Sequence, residues 1–321
     1  MIRHIQIDHN GLCNAKCWFC PVAYEGNPEK GRTNMSIETL DKILKQISDG
    51  RGDFVSDKEL FAYPAHYSEV VLHPQFEEIL STYSKYNISI YLFSNAIAFT
   101  PDKIDIVKKY SNSIDRIIFN VPSSNADQWS RFIGMNVKLF DKTISNLKYA
   151  HSTLRELTKE NKILIQVNGI NDMLEPGING WAETLNNSKE ENFDSPNSDV
   201  TKTITDFSKI FPDFIIKDNF LLKDRAGTLS NLNVISNKKI IEKNKKNKVI
   251  GCSENKIKKW ISISAAGDVF ICCEDFYFET SFGNIHEKTI KDIWNGQEHQ
   301  DMINKSMSGL CTKCIYAVWQ S

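Results

Sequence analysis

Three cysteines close behind a first strand constrain this chain more than any other feature. The N-terminus reads Met1-Ile2-Arg3-His4-Ile5-Gln6-Ile7-Asp8, an alternation that predicts a β-strand. Soon after comes Cys13-Asn-Ala-Lys-Cys17-Trp-Phe-Cys20. Three thiolates this close can ligate three irons of a cubane and leave the fourth open to another ligand. A second set lies far downstream, with Cys252, the adjacent Cys272 and Cys273, and Cys311-Thr-Lys-Cys314. The short first spacing alone also suits zinc. Two separated sets together point to a redox enzyme with two iron–sulfur clusters.

Eight cysteines argue for metal before disulfides if the chain works in a reducing compartment. A cytoplasmic location is the expectation. The N-terminus lacks a signal-peptide pattern, and no apolar run approaches the roughly 20 residues of a membrane span. Lys+Arg total 39 and Asp+Glu 40, a net charge of -1, which argues for neither nucleic acid nor an anionic membrane as partner. The one basic run, from Lys238 to Lys248, is broken by asparagines and a glutamate and reads as a solvated linker.

Strand and helix patterns alternate through the first two-thirds. Strands are expected at Ile5–Ile7, Leu60–Tyr63, Ile88–Phe93, Ile114–Phe119, Ile163–Val167 and Phe214–Lys217. Helices are expected from Ser36 to Ser48, from Pro74 onward, over Pro101–Tyr110 and over Val137–Leu157. This rhythm implies βαβ units and a parallel sheet. Asn168 to Ser198 reads as a long polar loop over one end of that sheet. From Gly251 the pattern changes to a hairpin, Trp260–Ile263 and Val269–Cys272 around Gly267-Asp268. The expected division is a core over 1–230, a linker over 231–250 and a small α+β domain over 251–321.

The first motif resembles the radical S-adenosylmethionine superfamily. Its three cysteines have gaps of three and two residues, Phe19 fills the aromatic position before the last, and Asn14 and Pro21 are common companions. The resemblance implies a partial (β/α)6 barrel, with Cys13, Cys17 and Cys20 holding a [4Fe–4S] cluster whose open iron binds S-adenosyl-L-methionine. Further cofactor contacts follow from the same resemblance. In Tyr67-Ser68-Glu69-Val70 the family's glycines are missing, but Glu69 keeps the acidic position that binds the methionyl ammonium. Ser94-Asn95-Ala96 is similar to the family's Thr-Asn-Gly, and Arg131-Phe132-Ile133-Gly134 is a loose relative of its Arg-Gly signature. Arg131 would meet the cofactor carboxylate, Asn168 the ribose and Gly169 the adenine.

The second set resembles the auxiliary-cluster domains called SPASM and twitch. Gly267-Asp268-Val269-Phe270-Ile271-Cys272, Gly283-Asn284-Ile285 and Ile290-Lys291-Asp292-Ile293-Trp294-Asn295 carry that likeness. Five cysteines after Cys20 cannot fully ligate two cubanes. The expected set is one [4Fe–4S] on Cys252, Cys272, Cys311 and Cys314, with zinc the alternative. Cys273 is left over, either as a small filler or as a catalytic thiol that donates hydrogen to a radical. Neighbours in a regular strand face opposite ways, which separates the pair, although local irregularity would let the two exchange roles.

The implied activity is an oxidoreductase that generates a 5′-deoxyadenosyl radical and takes hydrogen from a small polar metabolite or a peptide. The auxiliary cluster serves in electron transfer, and a reductant such as flavodoxin or ferredoxin supplies the first electron. The alternatives are a ribosomal-peptide maturase or epimerase and, in a different class, a non-catalytic iron–sulfur electron carrier.

Overall fold

A computed structural model of the protein describes residues 1–29, 34–168, 200–219, 225–229 and 247–320. Six strands run parallel and neighbour one another in chain order. They are β1 (His4–Ile7), β2 (Phe61–Tyr63), β3 (Ser89–Ser94), β4 (Ile114–Asn120), β5 (Ile163–Asn168) and β6 (Ile215–Asn219). All six expected strands are present, shifted by a residue or two at most.

Helices cover one face. In the helix Ile37–Asp49 the apolar period buries Leu40, Ile43, Leu44 and Ile47, and Ser36 Oγ caps its start by accepting from the Thr39 amide at 3.1 Å. Each such buried side chain contributes about 1.5–3 kcal/mol. Pro101 opens the helix expected over Pro101–Tyr110, which runs Pro101–Lys109, at its first turn. Pro74 does not open one. A 3₁₀ turn over Val70–Leu72 comes first, and the helix runs Phe76–Lys85 from Gln75. The long helix expected over Val137–Leu157 is two, Leu139–Thr153 and Arg155–Lys159, broken at Leu154.

The other face of the sheet is different. Strand β3 alternates buried and half-buried residues, so only one face meets the helices. The opposite face carries His4, Tyr63, Tyr91 and Trp260, with the Trp260 ring 4.5 Å from His4 and 4.8 Å from Tyr63.

Strand β7 (Val249–Cys252) begins inside the expected linker and pairs with β11 (Ala317–Trp319) in a small antiparallel sheet. Residues 230–246 and the expected loop over 169–198 lie outside the described residues. The hairpin is present as β8 (Trp260–Ile263) and β9 (Asp268–Phe270), joined through Gly267 at φ 86°, and β10 (Ser281–Asn284) follows antiparallel. These strands extend the main sheet. Strand β8 pairs parallel with β1, giving the order β10-β9-β8-β1-β2-β3-β4-β5-β6. The result, among the described residues, is a mixed nine-stranded sheet with β6 at one end of the order. Among the described residues, no helix is long and apolar enough to cross a membrane.

Candidate active site

The first cysteine loop leaves the carboxyl end of β1, where open α/β sheets place their ligands. One flank is stitched to the segment after β2. Asn10 Nδ2 donates to the Glu69 carbonyl at 3.1 Å, and the Glu69 amide donates to the Leu12 carbonyl at 2.8 Å. The other flank hangs on the end of the helix Ala126–Ile133, through Lys16 N to Ile133 O at 2.8 Å and Trp18 N to Phe132 O at 3.2 Å. Gly134 makes that approach possible. Its φ is 66°, and a Cβ there would stand 2.4 Å from the Lys16 carbonyl oxygen. Gly134→Ala should therefore cost at least about 2 kcal/mol, from left-handed strain plus the clash. A lower urea midpoint with an unchanged slope is the expected result.

Cys13, Cys17 and Cys20 are all partly buried. Burial raises the Cys17 thiol well above its ordinary value, and the charges of Cys20 and Cys13 raise it further, so the three sulfurs share one space. Cys13 is pushed up to about 12 by burial first and then by the Glu69 carboxylate. Only a strong local cation would hold such thiols as thiolates.

Glu69 is 4 % exposed. Its Oε2 accepts from the Asn95 amide at 3.0 Å, while its Oε1 is buried without a hydrogen-bond partner. Burial raises this carboxyl to about 7, against the lowering effects of Asn95 and Ser94. Asn95 Nδ2 reaches Asn14 Oδ1 at 2.8 Å, and Ser94 Oγ accepts from the Ala96 amide at 3.0 Å. The structure thus brings Glu69, Ser94 and Asn95 together beside Cys13. Asn168 sits apart, at the end of β5, donating to Asn120 Oδ1 at 3.2 Å. Arg131 is exposed in the last turn of its helix, and Gly169 lies outside the described residues.

The sequence did not single out Asp8. It is fully buried at the end of β1 and takes hydrogen bonds from Ser68 Oγ and the His66 amide, while its Oδ2 has no hydrogen-bond partner. Burial raises it to about 6.

At the second site, Cys252, Cys272, Cys311 and Cys314 line one cavity, together with Lys256, Glu274 and Tyr316. These are the four expected ligands, and Cys273 is not in the lining. The pair Cys272–Cys273 lies beyond the end of β9, in a turn, so strand alternation does not separate them. Amides point at two of the sulfurs, Glu274 N to Cys272 Sγ and Tyr316 N to Cys314 Sγ, each at 3.5 Å. Asp275 shapes the loop by accepting from the Glu279 and Thr280 amides at 3.1 and 2.7 Å. The four cysteines surround a space, which suits a cluster.

One short segment joins the two sites. His66 Nε2 and the Tyr67 hydroxyl both donate to the Cys273 carbonyl, at 2.7 and 3.2 Å. Ser68 then holds Asp8, and Glu69 faces Cys13.

Comparisons with known proteins agree with this geometry. The sequence profile of the radical SAM superfamily matches residues 7–165, and that of the SPASM iron–sulfur cluster-binding domain matches residues 252–315. This chain is a radical SAM enzyme. Its SPASM domain carries the second cysteine set.

No curated protein matches significantly. Similar folds occur among solved structures. BtrN in complex with AdoMet and 2-DOIA has a TM-score of 0.54 at 13% identity, covering 99% of this chain and 93% of that one. SuiB of Streptococcus suis bound to its precursor peptide SuiA has a TM-score of 0.59 at 14% identity, covering 98% and 70%. The enzyme anSMEcpe with AdoMet and a Cp18Cys peptide has a TM-score of 0.53 at 15% identity, covering 98% and 86%. At such identities the likeness is one of fold.

Proposed function

We propose that this radical SAM enzyme is an oxidoreductase acting on a carbon–hydrogen bond of a small polar metabolite or a peptide. Cys13, Cys17 and Cys20 would hold one [4Fe–4S] cluster, and Cys252, Cys272, Cys311 and Cys314 a second. When bound, the first cluster with S-adenosylmethionine supplies a 5′-deoxyadenosyl radical that removes a hydrogen atom from substrate. The observation that carries this reading is the buried, unpartnered Glu69 Oε1 beside Cys13. A buried acceptor of this kind needs a donor, and the methionyl ammonium is one of the right charge. Asn95 and Ser94 hold Glu69 in place, and Asn14 ties the cysteine loop to that same turn. Arg131, Asn168 and Gly169 are the further cofactor contacts in this reading.

Residues 1–230 then form the radical unit, 231–250 the connection and 251–321 the auxiliary unit, whose hairpin adds to the first unit's sheet. Four thiolates would suffice to close a second cluster, which would supply electron transfer. An external donor of the flavodoxin or ferredoxin type would supply the reducing electron. Solved structures of similar fold include peptide complexes and one with 2-DOIA, so the fold is compatible with either substrate class.

In an epimerisation, Cys273 would be the first thiol to test as the hydrogen donor. A thiol donates a hydrogen atom, whereas a thiolate has none to give. The Lys256 ammonium, 3.4 Å from Cys273 Sγ, favours the thiolate over the thiol that a hydrogen donor needs. As a test of the cofactor site, Glu69→Gln should weaken S-adenosylmethionine binding about 10- to 100-fold, the worth of a buried charge-assisted hydrogen bond. Equilibrium dialysis of the anaerobic enzyme reads this directly. Unchanged affinity removes Glu69 from the site.

A further inference from the structure

Lys256 belongs to the run Asn255-Lys256-Ile257-Lys258-Lys259, yet it is only 5 % exposed. Asn255, in the left-handed region at φ 52°, begins the short helix that carries it. Its Nζ stands 3.1 Å from Glu274 Oε1, 3.4 Å from Cys273 Sγ and 4.3 Å above the Tyr316 ring. Glu274 is 2 % exposed, and its other oxygen meets Arg225 at 3.4 Å. One carboxylate is therefore shared by two cations. A buried ammonium is costly without compensation, which Glu274 and the Cys273 sulfur supply here. Lys256 and Glu274 also line the same cavity as Cys252, Cys272, Cys311 and Cys314.

We propose that Lys256 sets the reduction potential of the auxiliary cluster, its buried ammonium favouring the reduced form, with Glu274 as the opposing charge. This rests on the reading that those four cysteines hold such a cluster. Reduction adds one negative charge to the cluster, and cluster potentials follow local charge and burial. With an effective dielectric of about 20, a unit charge changes the reduction constant tenfold even from ~12 Å. Lys256 lines the cavity wall itself. A raised potential makes the cluster a better acceptor for the electron a substrate radical must lose when it is oxidised. Lys256 is a positioning residue in this scheme, acting through the field at the cluster.

The test is an anaerobic redox titration of the holoenzyme followed by electron paramagnetic resonance, on the wild type, Lys256→Met, Glu274→Gln and the double variant. Lys256→Met should make the auxiliary cluster at least tenfold harder to reduce, a fall of about 59 mV for one electron. Glu274→Gln should shift it the opposite way, and the double variant should fall between them. Lys256→Arg keeps the charge and should hold the wild-type potential if Lys256→Met does not assemble. A packing role predicts no opposite-signed pair, so unmoved potentials, or both single variants shifting together, overturn the proposal. A wild type with only one cluster defeats the underlying reading instead, and iron counting on the same samples tells the two failures apart.

Discussion

Replacing Cys13, Cys17 and Cys20 together by alanine should reduce 5′-deoxyadenosine formation to background while leaving part of the iron in place. The loss is expected because these sulfurs lie close together, partly buried, near Glu69, whose Oε1 has no hydrogen-bond partner. The iron that stays belongs to the second site, whose loop is built from separate elements around β7, the turn after β9 and Cys311–Cys314. Liquid chromatography of the quenched, reduced enzyme measures the product. Undiminished 5′-deoxyadenosine would show that the radical arises elsewhere.

Alanine at Cys252, Cys272, Cys311 and Cys314 should have the opposite signature. Iron should fall from about eight to about four per chain, the count for one cubane in place of two. Thermal stability should fall with it, because metal binding and local folding are coupled. The small sheet β7–β11 and the turn at Cys272 both abut the emptied cavity, so that region should lose structure first. Elemental analysis that finds zinc at this site in the wild type would reject the auxiliary cluster.

The strand order and the two cysteine sets were legible in the sequence for physical reasons. Apolar period marks strands and helices, and parallel strands joined by helices stack in chain order. Glu69 was singled out through its place in a resemblance, and the structure shows its carboxyl buried and raised by that burial. What was hidden depends on tertiary contact. Asp8 ends an ordinary strand pattern, and only its burial makes it unusual. Lys256 has lysine neighbours at 258 and 259, and no periodicity separates the one turned inward from those left outside. The register β1–β8, which carries the C-terminal hairpin onto the main sheet, joins segments too distant for any local signal. Gly134 was within reach, since glycine after an amphipathic helix is a C-cap signal, but the motif drew attention to Arg131 instead.

The most direct test of the account is Mössbauer spectroscopy of the ⁵⁷Fe-enriched enzyme with and without S-adenosylmethionine. The account predicts about eight irons per chain in two cubanes, with one iron changing its signal when the cofactor is added and the cluster held by Cys252, Cys272, Cys311 and Cys314 unaffected. A spectrum of four irons, or of eight irons of which none responds to S-adenosylmethionine, would contradict it.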